Sequence, residues 1–475
     1  MELKKIIEEE LKKLVFFKAI SDIGEELGVS VYVVGGFVRD LILGRERDDI
    51  DFLIVGDCEI FAEAVSKRLG INRITVYKNF GTAHFDFSGY NLEFVGARRE
   101  SYNSSSRKPI VTNGTFEDDI TRRDFTINAI AISLNKNNLG EVVDIFGGIK
   151  DIESRLLKTP LNPLETFDDD PLRIMRAFRF SAQLNFNLDE SIMIAAEKMK
   201  ERLRIVSQER ITDEFIKILK SPKPSVALIQ MFYSNILEEV FPEISSLYGV
   251  DQKKEHHHKD VFFHTMQVVD NISSFTDNVW LRFTALVHDI AKPMTKRYDE
   301  EAGWSFHGHE EMGARIMEKI FKRLKLPLTN LSYVEKLVRL HLRPIALAKE
   351  EVTDSAIRRL IVEAGEDLND LITLCRADIT SKNPLKVASY LNNFEIVMAR
   401  VLEVREKDKL RAFQSPVSGE IIMEVCGLKP SKTVGLIKKE IEEAILEGKI
   451  ANDYDEALSF LMEIKDNYLS PHQNT

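Results

Sequence analysis

The stretch VVGGFVRDLILGRERDDIDFLIVG, residues 33–56, decides the fold of the first part of the chain. Its two apolar ends read as strands. VYVVGG (31–36) is a buried strand closed by two glycines, and DIDFLIVG (49–56) is a second strand. Arg39 and Asp40 fall on a short helix between them. Alternate residues of a strand share a face. Asp49 and Asp51 therefore point one way, while Phe52 and Ile54 point into a core. Two carboxylates side by side repel each other unless a cation lies between them. Mg²⁺, a hard ion that takes oxygen ligands and bridges phosphates, is the natural one. Gly35 and Gly36 allow close backbone approach, and their N–H groups can cradle a phosphate. Arg39 is placed to neutralise a triphosphate. Glu93, in LEFVGARRE, is the candidate third carboxylate, with Asp86 in reserve. Each feature is ordinary alone, but together they occupy only 17 residues, 35–51.

Outward from this stretch, residues 1–28 read as amphipathic helix, with Leu3, Ile6, Ile7, Leu11 and Leu14 on one face. HFDFSGYNLEFVGA (84–97) reads as a hairpin turning at Ser88-Gly89. The polar run RRESYNSSSRKPIVTNGT (98–115) reads as a loop. From about residue 120 the pattern is largely helical to the end. The fold class is thus α+β, a small mixed-sheet head followed by a mostly α-helical body. Composition shifts divide it into 1–150, 151–225, 226–385 and 386–475.

At 475 residues the chain is too long for a single core. No apolar stretch reaches the roughly 18 residues of a membrane helix. The start MELKKIIEEELKKL is acidic and amphipathic, unlike a signal peptide. Three scattered cysteines (Cys58, Cys375, Cys426) suit a reducing compartment, so the expected location is cytoplasmic. A net charge of −11 argues mildly against nucleic acid, but local patches matter more. Residues 198–223 hold eight Lys/Arg against four Asp/Glu, and 425–439 hold four lysines and no acid. Such stretches can follow a phosphate backbone or simply face solvent.

GGFVRD…GRERDDIDFLI resembles the signature of the class II CCA-adding enzymes and bacterial poly(A) polymerases. The resemblance continues in order through RRDFTINAIA (122–131), DIFGGIKDIESRLLKTP (144–160), DDPLRIMRAFRFSAQLNF (169–186), SQERITDEFIKIL (207–219) and SPVSGEIIMEVCGLKP (415–430). It implies that Asp49 and Asp51 hold Mg²⁺ while a tRNA 3′-OH attacks the α-phosphate of CTP or ATP. It implies that Arg123, Asp124 and Asn128 meet the ribose and triphosphate, and that Asp170 and Arg173 bond the base edge. Arginine only donates and aspartate only accepts. Cytosine and adenine each offer the matching amino donor and ring-nitrogen acceptor, so two side chains can select them without a template. Asp169 stands where the family motif usually has glutamate. Arg176 and Arg179 continue the stripe, to support the pocket or meet RNA phosphates. The loop from about Arg99 to Asp118 is of full length, which implies CCA or terminal-A addition rather than CC addition. In the tail, Lys429, Lys432, Lys438 and Lys439 are the implied tRNA phosphate contacts.

Seven of ten histidines lie between 256 and 309. FFHTMQVVDN (262–271) and LRFTALVHDIAKP (281–293) resemble the histidine–aspartate (HD) phosphohydrolase domain, implying His264, His288, Asp289 and Asp378 as metal ligands. His307, His309 and His341 are further candidate ligands or phosphate contacts. Imidazole with carboxylate suits Mn²⁺, Ni²⁺, Co²⁺ or Mg²⁺. His256, His257 and His258 read as a surface run. Two alternatives stay open: a poly(A) polymerase, and a metal-dependent phosphohydrolase acting on RNA 3′ ends.

Overall fold

The computed structural model describes residues 2–77, 81–103, 106–250, 260–300, 303–347, 353–381, 383–408 and 415–469. The chain forms two compact units, Met1–Pro242 and Glu243–Thr475.

The first unit opens with two helices, Glu2–Lys13 and Phe16–Leu27, where the sequence suggests one. Its strands are β1 (Ser30–Val34), β2 (Asp49–Val55), β3 (Thr75–Tyr77), β4 (Thr82–Phe87), β5 (Tyr90–Gly96), β6 (Arg98–Asn103), β7 (Ser106–Asn113), β8 (Ala131–Ser133), β9 (Val142–Val143), β10 (Leu156–Leu157) and β11 (Asn187–Leu188). Seven of them form one sheet in the order β3-β4-β5-β2-β1-β8-β9. β1 runs antiparallel to β2 and β8, and β2 runs parallel to β5. β4 and β5 form the expected hairpin, and Ser88 (φ 51°) and Gly89 (φ 85°) take the left-handed turn a two-residue connection requires.

The period-2 reading of β2 holds. Ile50, Phe52 and Ile54 are fully buried. Phe52 lies 6.0 Å from Phe17 and stacks on Phe94 at 4.9 Å, which joins the helix Phe16–Leu27 to the sheet. Leu53, on the opposite face with Asp49 and Asp51, packs with Val34, Ala97, Phe116, Ile120, Ala129 and Ala131. The aspartates therefore stand at the beginning of a strand whose later residues are sealed on both faces.

Two expectations are corrected here. The polar run 98–115 is not a loop: β6 and β7 pair as an antiparallel hairpin. The helical pattern read from about residue 120 sets in later, because RRDFTINAIA leads into the sheet through a 3₁₀ turn (Thr126–Asn128) and then β8.

Helices Pro163–Asp169, Leu172–Leu184, Glu190–Met199, Gln208–Leu219 and Pro224–Tyr233 follow. Leu172–Leu184 is the central one and packs on both Gln208–Leu219 and Pro224–Tyr233. Pro171 precedes it with helix-compatible angles (φ −60°, ψ −19°), as proline at a helix start should. Asn185 in the left-handed region ends it.

Among its described residues the second unit is helical apart from one short hairpin, Arg297–Asp299 with Gly303–Ser305. Asp260 and Asn278 cap the helices Val261–Phe275 and Val279–Val287 by accepting backbone N–H groups. Its last helices, Gly419–Cys426, Lys432–Leu446 and Tyr454–Leu469, share a core of Ile422, Ile437, Ile441, Ala457 and Leu461. Among the described residues no helix is long and apolar enough to cross a membrane.

Candidate active site

The sheet, the short helix Gly36–Ile42 and the helix Leu172–Leu184 together line a cleft of about 830 Å³. Its walls carry Gly35, Gly36, Arg39, Asp49, Asp51, Arg123, Asp124, Asn128, Arg176 and Arg179 from the sequence-derived set. Eight cationic and five acidic side chains line it: Arg39, Arg45, Arg47, Arg123, Arg176, Arg179, Lys217 and Lys220 against Asp40, Glu46, Asp49, Asp51 and Asp124. That balance suits a polyanion.

Gly35 holds φ 77° at the end of β1, a conformation only glycine takes easily. A Cβ there would lie 2.9 Å from Arg123 Nη1 and 3.1 Å from Asp51 Oδ2. The glycine thus lets those two groups meet over bare backbone. Asp49 is the more open carboxylate, 62% exposed, with Asn91 Nδ2 donating to it at 3.4 Å. Asp51 faces Glu93 across the parallel β2–β5 register, and Glu93 faces His84 of β4. Burial raises the Asp51 carboxyl above its ordinary value; Arg123 and Arg47 oppose that shift, and Asp49 adds to it. Burial and then Asp51 raise Glu93 in the same direction. This is the electrostatic state of a site that a cation would relieve, so the residues fit a divalent metal. Asp49, Asp51 and Glu93 do not converge within 4.8 Å as a set of three, however. Glu93 lies outside the cleft lining, and Asp86 is exposed, two strands from Asp49.

Behind the carboxylates is a buried polar network. Arg39 is 1% exposed. It donates through Nε and Nη2 to both oxygens of Asp40, at 2.9 and 2.7 Å, and through Nη1 to Asn128 Oδ1 at 2.8 Å. Asn128 Nδ2 donates to Asp124 Oδ1 at 3.0 Å, and Arg176 Nε donates to Asp124 Oδ2 at 2.7 Å. Burial would raise Asp124, but Arg176 and Asn128 outweigh it and hold the carboxyl at about 2. Arg179 donates to Glu214 and Gln183. Phe180 sits within 5.3 Å of three guanidiniums, those of Arg39, Arg176 and Arg179.

Asp170 and Arg173 lie just outside the cleft lining. They make no ion pair with each other. Arg173 donates to Arg122 O at 2.6 Å and Thr166 O at 3.2 Å, and Asp170 accepts from Leu172 N and from Arg210. Asp169 ends the helix Pro163–Asp169. The sequence reading gave no role to Arg45, Arg47, Lys217 or Lys220, although the last two belong to its basic stretch.

In the second unit six predicted ligands converge. They form two groups, His264 with His288 and Asp378, and Asp289 with His309 and His341. His264 Nε2 is 2.9 Å from Asp378 Oδ1, His288 Nε2 is 3.2 Å from Asp289 Oδ2, and His309 Nε2 is 3.3 Å from Asp289 Oδ1. His288, His309 and His341 each direct Nδ1 at a backbone carbonyl, those of Ala285, Phe306 and Val338, at 2.6–2.8 Å. A carbonyl only accepts, so Nδ1 carries the hydrogen, and in a neutral ring Nε2 is a bare lone pair. The Nε2 atoms of His309 and His341 then face each other at 3.4 Å as two acceptors. His288 Nε2 is buried without a hydrogen-bond partner. Both features fit a divalent metal. Lys292 Nζ lies 2.6 Å from Asp289 Oδ2, and burial lowers His341 to about 4. His307 stays exposed outside both groups, and His256–His258 lie outside the described residues.

In the tail, Lys429, Lys432 and Lys439 are exposed, and Lys438 is half-buried, 3.9 Å from Glu442.

Residues 31–158 match the poly A polymerase head domain family, 185–247 the family of the probable RNA and SrmB-binding site of polymerase A, and 257–383 the HD domain family. The chain is 32% identical over 441 residues to the A-adding tRNA nucleotidyltransferase of Deinococcus radiodurans, covering 90% of this chain and 94% of that one. It is 30% identical to the multifunctional CCA protein of Xanthomonas campestris pv. campestris, covering 83% and 96%. A 33% identical match to the A-adding enzyme of Aquifex aeolicus covers 57% of this chain but only 32% of that protein. A solved CCA-adding enzyme in an apo form shares the fold, with TM-score 0.65 at 23% identity over 97% and 98% of the two chains. The chain belongs to the family of tRNA nucleotidyltransferases built on a poly A polymerase head domain.

Proposed function

We propose that this chain completes the 3′ end of tRNA without a nucleic-acid template, adding CCA from CTP and ATP or its terminal A from ATP. One observation carries the reading: a single cleft gathers Asp49 and Asp51 with Arg123, Asp124, Asn128 and a surplus of cations. Asp49 and Asp51 would hold Mg²⁺, with Glu93 adding negative charge beside Asp51; the ion when bound offsets phosphate charge and favours ionisation of the attacking hydroxyl. The chain's own task is to position and neutralise. Arg123, Lys217 and Lys220 offset the triphosphate. The Arg39–Asn128–Asp124–Arg176 network holds the ribose side of the cleft rigid. Arg39 then acts by orienting Asn128, since Asp40 and Asn128 take its donors. Arg173 has N–H groups beyond the two it spends on carbonyls, and these suit the ring nitrogen of cytosine or adenine while Asp170 accepts from the amino group. Asp169 buttresses that pair. Lys429, Lys432, Lys438 and Lys439 follow tRNA phosphates, setting register rather than reading sequence.

The His/Asp cluster favours a second site for a divalent ion, Mn²⁺, Ni²⁺, Co²⁺ or Mg²⁺, because imidazole and carboxylate ligands converge in it. Its arrangement suits phosphate-ester hydrolysis at RNA ends.

The test of the main reading is one gel. tRNA transcripts ending before CCA, after C and after CC are incubated with labelled CTP or ATP and Mg²⁺. Ordered incorporation of both nucleotides identifies a CCA enzyme. ATP incorporation only onto the CC end identifies an A-adding one. Long A tails on any RNA, or no incorporation, sink the proposal.

A further inference from the structure

Arg47 and Arg123 both hold a buried Nε without a partner in the cleft, but Arg123 spends its Nη2 on Asp119, whereas Arg47 does not hydrogen-bond through that edge. Arg47 lies between the short helix Gly36–Ile42 and β2, and its guanidinium rests on Gly36. A Cβ at position 36 would sit 2.7 Å from Arg47 Cζ and Nη1, so the second glycine is what makes room for this side chain. Nη1 donates to Asp40 Oδ2 at 3.0 Å. Nη2 stands 3.9 Å from Asp49 Oδ2, beyond hydrogen-bond reach. Nε is buried and has no partner. Nε and Nη2 form the side edge of a guanidinium, the fork that matches two oxygens of a carboxylate or phosphate. Arg39 shows the use of that edge, with Nε and Nη2 on the two oxygens of Asp40. In Arg47 the same edge is anchored from behind by Asp40 and left unbonded, while the side chain, 32% exposed, lines the cleft. A buried N–H without an acceptor is costly unless a ligand supplies one.

We propose that Arg47 grips the pyrophosphate portion of the incoming nucleotide through its Nε–Nη2 edge, and that Gly36 serves to seat it. The proposal rests on the nucleotidyltransferase reading of the cleft. It assigns to Arg47 the charge that gathers on the leaving pyrophosphate, and it leaves Asp49 and Asp51 to the reacting α-phosphate.

Equilibrium binding of ATP, pyrophosphate and AMP to the full chain with Mg²⁺, without tRNA, tests it. Arg47→Gln is expected to weaken ATP and pyrophosphate ~10-fold or more while changing AMP less than about twofold. Arg47→Lys keeps the charge but loses the planar fork, so it recovers only part of the loss and also serves if the glutamine variant folds poorly. Unchanged ATP and pyrophosphate affinity, or an equal loss for all three ligands, overturns the proposal, because a purely structural Arg47 cannot tell AMP from ATP. Failure of the wild-type chain to extend tRNA counts against the broader reading instead, and leaves the ATP-versus-AMP comparison readable.

Discussion

Asp124 is a carboxylate whose chemistry departs from its environment's default. Burial alone would raise a carboxyl, yet Arg176 and Asn128 hold this one at about 2. Its folded value is below the unfolded 3.8, so the unfolded chain binds more protons between those values. The stabilisation is complete above about pH 4 and is lost as pH falls through about 2. Acid unfolding followed by circular dichroism should show Asp124→Asn losing about 2 kcal/mol less than wild type across that window. An identical acid slope in the two proteins counts against the Asp124–Arg176 pair as a buried, folded-state interaction. Gly35→Ala is a second residue-scale case. It puts a side chain at φ 77° and a Cβ 2.9 Å from Arg123 Nη1. A cost of about 1–3 kcal/mol and a large drop in nucleotide incorporation are expected, read by thermal melts and single-turnover assays. At this scale Asp49 and Asp51 were legible because a strand has period two, which needs no partner to be known. Arg47 was not. GRERDD offers Arg45 and Arg47 equally, and only the folded position of Gly36 and Asp40 tells them apart.

The helix Leu172–Leu184 gives the cleft its rigid wall. Phe180, 5% exposed, has Arg179 over its ring at 4.0 Å, with Arg39 and Arg176 at 5.1 and 5.3 Å. Phe180→Ala should cost about 3–5 kcal/mol and release all three guanidiniums, lowering both the melting temperature and nucleotide affinity. Phe180→Leu keeps most of the apolar volume but not the π face, so it should recover most of the stability and less of the affinity. Equal recovery of both would show that packing alone matters there. Other elements hid from the sequence for physical reasons. The sequences of β6 and β7 are mostly polar and lack the regular alternation that marks a half-buried strand. β8 is only three residues, all buried, and a short apolar run carries no period by which to tell helix from strand. The break between Glu2–Lys13 and Phe16–Leu27 falls inside one apolar rhythm without glycine or proline to mark it.

For the whole molecule, the assignment of a metal to the His/Asp cluster makes a stability prediction. Mn²⁺ or Ni²⁺ should bind with micromolar or tighter affinity in calorimetry and raise the melting temperature of the metal-free chain, since a ligand that binds only the folded form stabilises it. His264→Ala with Asp378→Ala should abolish that rise while leaving nucleotide incorporation intact. The cluster's members were legible one by one from residue type and order. Their mutual geometry, with the Nδ1 atoms of His288, His309 and His341 turned to backbone carbonyls, depends on helices brought together from 261 to 378. The tail's lysines were legible as a charge run and, through the family resemblance, as phosphate contacts, while the closeness of Lys438 to Glu442 was not read from the sequence.

The central claim is that Asp51, beside Asp49 in the cleft, carries nucleotide addition to tRNA. Single-turnover incorporation of labelled ATP onto tRNA ending in CC, comparing wild type with Asp51→Asn, tests it most directly. Wild type is expected to extend the tRNA by one A, and the variant to do so ~1,000-fold more slowly or worse while binding tRNA with unchanged affinity. Incorporation by Asp51→Asn at the wild-type rate would contradict the assignment.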